Sequence, residues 1–93
     1  MMDTKETGWI EGCGTRKYPV YCKLGTIINA YLTDNSDGSF YLEITHYDCN
    51  QYSNNGRLMG GNIQAQSPEE AFIVAEQKIA EAGYHFNAKR DKI

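Results

Sequence analysis

The sequence predicts an α+β domain: an antiparallel meander of three to four strands followed by one C-terminal helix packed on one face. Three observations carry this. Residues 67–83 hold the only long helical pattern. The stretches before it alternate apolar and polar side chains, and Asp37-Gly38 stands between two of them, where a hairpin needs its turn.

Taken in order, residues 1–8 are polar and expected to be loose, and Trp9 and Ile10 form the first apolar anchor. Residues 12–17, with glycines bracketing Cys13, read as a turn. Residues 18–24 read as a strand with Pro19 at its start or on an edge, where no N–H is needed, and Gly25 ends it. Residues 26–33 form the next strand: Ile28, Ala30 and Leu32 share one face, and Ile27, Asn29 and Tyr31 the other. Residues 34–38 make a hairpin loop, with Asp37-Gly38 expected in the left-handed positions. Residues 39–47 return as a strand. Phe40, Leu42 and Ile44 share its inner face; Tyr41, Glu43, Thr45 and Tyr47 share the other. This alternation predicts a sheet with one face buried and one wet.

Residues 48–56 are a polar, Asn-rich loop containing Tyr52. Residues 57–65 form the last strand, where Gly60-Gly61 predicts a bulge or a close backbone approach. The helix is marked at both ends. Ser67 can accept a bond from a first-turn N–H, Pro68 suits the first helical position, and Glu70 can complete a capping box. Gly83 is a left-handed stop. Ala71, Phe72, Ala75, Ile79 and Ala82 make one apolar stripe suited to a sheet face. Residues 84–86 are a short final strand or a tail packed on the core, and residues 88–93 a loose basic end.

Ninety-three residues, 41% of them hydrophobic, make one domain without repeat or linker. No apolar run is long enough to span a bilayer. No basic-then-apolar leader opens the chain, and three cysteines do not form a dense framework, so a cytoplasmic protein with reduced thiols is expected. A net charge of −3 argues against a dedicated nucleic-acid binder, which usually carries a basic face.

Two groupings have the residue types for chemistry. Cys13, Cys22, His46 and Cys49 are zinc-ligand types, but eight residues separate the first two, and a straight strand would point His46 and Cys49 apart. Cys13, near Arg16 and Lys17, could act as a nucleophile with His46 or His85 as base, yet no local motif joins them. No catalytic residue, cofactor or metal is therefore expected. The wet face is more informative. Tyr31, Tyr41 and Tyr47 belong to it, with Glu43 between them and Tyr52 and Arg57 adjoining. Tyrosine offers large contact area with a polar handle, as protein interfaces use; the alternative is that these tyrosines only make cross-strand pairs.

Residues 26–82 resemble the HicB-type antitoxin domain in the order strand, Asp-Gly turn, strand, strand, helix. Asp37-Gly38-Ser39-Phe40 and Ser67-Pro68-Glu69-Glu70-Ala71 carry the likeness. Thr45-His46-Tyr47-Asp48-Cys49 stands where that family has a Pro-Asp-Leu-Pro-Gly segment. The resemblance implies neutralisation of a small RNase toxin. In size and build the chain is also similar to small phage-encoded anti-CRISPR inhibitors, which implies covering the working surface of a larger protein. The leading expectation is a non-catalytic inhibitor whose partner-binding residues are Tyr31, Tyr41, Glu43, Tyr47, Tyr52 and Arg57. Antitoxin-like neutralisation and a zinc- or thiol-dependent protein are the alternatives. A homodimer paired along residues 18–24 or 57–65 is a further expectation.

Overall fold

The computed structural model describes residues 8–49 and 56–87. Among the described residues the fold is α+β: five antiparallel strands in sequence order, then one helix. The strands are β1 (Ile10–Gly14), β2 (Pro19–Leu24), β3 (Ile28–Asp34), β4 (Ser39–His46) and β5 (Arg57–Gln64), and the helix is α1 (Pro68–Glu81).

The fifth strand corrects the expected three to four. Residues 10–14, partly assigned to a turn, pair with β2 as an edge strand, with a bulge between Glu11 and Cys13. The glycines around Cys13 had masked it, because glycine weakens the strand signal while it permits the bulge. Gly14 itself needs a positive φ of 86°, and a Cβ there would meet the Tyr18 carbonyl and Val20. Trp9 and Ile10 then split: Trp9 is buried, Ile10 exposed.

The hairpin between β3 and β4 also differs in detail. Ser36 and Gly38, not Asp37, hold the positive φ values. Asp37 instead accepts from Ser39 N and Ser39 Oγ at 3.1 and 2.6 Å, which holds its carboxyl below the ordinary range.

The helix ends where its caps say. Ser67 Oγ accepts from Glu70 N at 3.2 Å, while the Glu70 carboxylate reaches back to Gln66 N at 2.6 Å, one residue before the expected partner. Gly83, at φ 85°, closes a Schellman motif: Gly83 N donates to Ala80 O and Tyr84 N to Ile79 O. Ala71, Phe72, Ala75 and Ile79 are buried, whereas Ala82 turns outward at the cap.

The stripe covers the sheet face formed by Ile28, Ala30, Leu32, Phe40, Leu42, Ile44 and Ile63. Trp9 stacks on Phe72 with centroids 5.2 Å apart, and Tyr21 meets the same ring edge-on. Trp9 Nε1 donates to Glu76 at 3.0 Å, and Lys23 Nζ lies 3.2 Å from the same carboxylate. A buried indole thus keeps its polar partner while its rings fill the core. Tyr84 and Phe86 pack on the core as a tail, and Phe86 O accepts from Ile27 N. Gly25 is required there, since a Cβ would run into the Phe86 carbonyl. Of the expected loose ends, residues 1–8 and 88–93, all but Gly8 lie outside the described residues.

Candidate functional site

The face opposite the helix is built by alternation. Cross-strand pairing places Ile10, Cys22, Tyr31, Glu43 and Gly60 in one row, with Leu24, Asn29, Thr45 and Arg57 nearer one end. Val20, Thr33, Tyr41 and Asn62 lie nearer the other. Opposed residues on paired strands share a face, so the expected side for Tyr31, Tyr41 and Glu43 is the observed one.

The expectation that this face is wet is corrected in its middle. Tyr31 is only 7% exposed, and Asn29 and Thr45 are buried. The turn after β4 folds back over them. Cys49 N donates to His46 O, and the Cys49 carbonyl collects three side chains. Tyr31 OH donates to it at 3.2 Å, Asn29 Nδ2 at 3.2 Å, and Thr45 Oγ1 at 3.3 Å. Asn29 Nδ2 also reaches Tyr47 O at 2.9 Å, while Asn29 Oδ1 accepts from Gly25 N at 3.2 Å. One buried amide therefore ties two turns together, and no buried side-chain polar atom among the described residues lacks a partner. The signal in the sequence was Asn29 itself, a poor strand former set between Ile28 and Ala30.

The covering turn splits the anticipated tyrosine surface. On the β4–β5 side, Arg57 donates through Nη2 to Tyr41 OH. Its guanidinium lies 5.5 Å from the Tyr41 ring centroid, and its Nε is 3.9 Å from Glu43. Gly60 makes this possible: a Cβ there would occupy the space that the Arg57 guanidinium and the Tyr41 hydroxyl fill. Beyond the Leu24–Arg57 row, Tyr47 is 60% exposed, its N–H tied to Ile27 O. Ile10 and Leu24 are exposed on the same face, and Ile27 at the adjoining turn. Ile27 was expected on this side; Ile10, read as an apolar anchor, and Leu24 were not anticipated as surface. Tyr47 lies six positions after Tyr41, up to about 20 Å at strand rise. Tyr52 lies outside the described residues.

Of the described cysteine and histidine candidates, His46 and Cys49 approach each other at Gly56, and Cys22 does not join them. Cys22 faces outward beside Tyr31, whereas His46 pairs with Ile28 on the helix side. Cys49 packs at Gly56, and the described part of Cys13 is its backbone pairing with Val20. Among the described residues no three His, Cys, Asp or Glu side chains cluster as metal ligands. No described helix is long and apolar enough to cross a membrane.

No family model, no curated protein and no solved structure matches this chain. The reading of function therefore rests on the residues of the outer face.

Proposed function

We propose that this protein is a non-catalytic binding protein that covers a functional surface of a larger protein. Its most concrete form is a phage-encoded inhibitor of a bacterial defence complex such as CRISPR–Cas. The observation that carries the reading is the Arg57 guanidinium held over Tyr41 and beside Glu43, on a face that also exposes Tyr47 and Leu24. Arginine and tyrosine are the residue types that dominate binding energy at protein interfaces, above all when held in place before the partner arrives. Arg57 and Tyr41 supply such a polar anchor, and Tyr47, Leu24, Ile10 and Ile27 supply apolar contact area.

The test is affinity capture from a bacterial lysate that contains a defence complex, with Tyr41→Ala/Tyr47→Ala as the comparison. Both side chains are at least partly exposed, so the double variant should keep its far-UV circular dichroism. Retention of a defence complex by the natural chain and its loss in the variant supports the reading. Equal retention by both removes the proposed surface. Capture of a small basic RNase instead would favour the antitoxin-like alternative.

A further inference from the structure

The sheet has two edges, β1 and β5, so the expectation of pairing along residues 18–24 is corrected: β2 lies inside the sheet. The two edges differ. β1 has five residues, is bulged and carries Glu11, features that blunt an edge against pairing. β5 has eight residues and, from Leu58 to Gln64, neither charge nor proline. Its bulge lies at the start, between the pairs of Ile44 and Thr45, and from Met59 to Gln64 the ladder is regular.

Ala65 N donates to Gly38 O at the end of that ladder. In an antiparallel pair bonded and non-bonded positions alternate, so Gly61 and Ile63 direct their backbone groups to β4. Gly60, Asn62 and Gln64 direct theirs outward. Beside this edge, between β5 and the C-terminal half of α1, runs an open cleft of about 300 Å³. Gly61 forms its floor, and nothing lies within 4 Å of where a Cβ would stand. Lys78 and Glu81, one helical turn apart, form its helix side.

We infer that a second copy of this chain occupies this edge, β5 pairing antiparallel with β5 so that Gly61 lies opposite Gly61. A two-fold axis perpendicular to the sheet keeps both helices on one side. This register sets Gly60 opposite Asn62 at bonded positions, so the outward N–H and C=O groups of both copies are satisfied. It also sets Met59 against Ile63 on the helix side. The axis reverses the order of Lys78 and Glu81 in the second copy, so each lysine faces the other copy's glutamate across the joined clefts. The charge pattern is self-complementary, and glycine at the centre lets the two helix-bearing faces close without a side chain between them.

Sedimentation equilibrium of the full chain across a concentration series tests this, with no other protein present. Its failure therefore leaves the outer-face reading untouched. The natural chain should dimerise. Asn62→Pro removes one outward N–H and no bond to β4, so it should keep its circular dichroism and raise the dimer dissociation constant by about tenfold or more. Lys78→Glu should weaken the dimer, and Lys78→Glu/Glu81→Lys should restore it. A natural chain that stays monomeric, or a dimer unchanged by Asn62→Pro, overturns the inference. A charge swap that fails to restore association overturns the register.

Discussion

The two faces of the sheet are both buried in part, by different means. On the helix face, burial is apolar and continuous: Trp9, Phe72 and Ile79 lie over Leu32, Leu42 and Ile44. On the outer face it is local and, apart from Val20, polar: three side chains converge on one carbonyl of the Cys49 turn. The helix face gains from area removed from water. The outer face gains little from area, but each of its buried polar atoms is costly if left alone. A strand's alternation assigns side chains to faces; it does not decide whether a short turn will dry part of the second one.

The largest effect expected from breaking this comparison is on the helix side. Phe72→Ala removes the ring that Trp9 stacks on and Tyr21 meets edge-on. It should cost about 3–5 kcal/mol, read as a lower denaturation midpoint at unchanged slope. The outer-face counterpart is Asn29→Ala. It leaves the Tyr47 and Cys49 carbonyls short of a donor and Gly25 N without its acceptor. A cost of about 1–3 kcal/mol is expected. Hydrogen exchange should separate the two variants. Asn29→Ala should loosen the Tyr47–Cys49 turn while the helix amides keep their relative protection, whereas Phe72→Ala should loosen the helix. Equal loss in both regions would mean that the two faces open as one unit.

The helix face was legible because its signals are local and redundant. Ser67, Pro68, Glu70 and Gly83 mark the ends of α1, and each of β2 to β5 begins and ends within two residues of its expected bounds. The missed strand β1 is held by tertiary pairing alone, with two glycines in five residues speaking against it. The outer face was legible only as a list of which residues share it. That Tyr31 would be covered depends on where the chain goes after His46, and polar loop residues carry no periodicity to show it. Gly60-Gly61 was expected to mark a bulge or a close backbone approach; the bulge instead lies before Met59, and the group nearest Gly60 is a guanidinium from the same strand.

A smaller effect sharpens the contrast through pH. Tyr21, buried beneath Phe72, has its hydroxyl pushed above the ordinary value of 10.0 by burial first, then by Glu11, Asp34 and Glu69. The folded state therefore holds that proton more tightly than the unfolded chain does. The stabilisation is complete below the unfolded tyrosine value and is lost as pH rises through the folded one. Tyr21→Phe should flatten the alkaline fall in stability over that window, measured as denaturation midpoint against pH. An identical fall in both proteins would assign it to the other tyrosines.

The smallest expected change in stability is at Arg57. Its ion pair with Glu43 is long at 3.9 Å and its side chain is 43% exposed, so solvent screens most of the attraction. Such surface pairs contribute about 0–1 kcal/mol. The contact with Tyr41 adds a cation–π component of similar size at a partly exposed site. Arg57→Ala should therefore leave the denaturation midpoint nearly unchanged, in contrast to Asn29→Ala two strands away in the same row. Gly60→Ala should cost somewhat more: the flexible end of Arg57 can move aside for the methyl group, but the Leu42 carbonyl at 3.1 Å and the Tyr41 hydroxyl at 3.0 Å must also give slightly. The two substitutions differ in what they remove: the first deletes the guanidinium, the second only displaces it from Tyr41. If a held arginine is what the outer face offers a partner, both should weaken capture. If only its charge matters, Gly60→Ala should bind as the natural chain does.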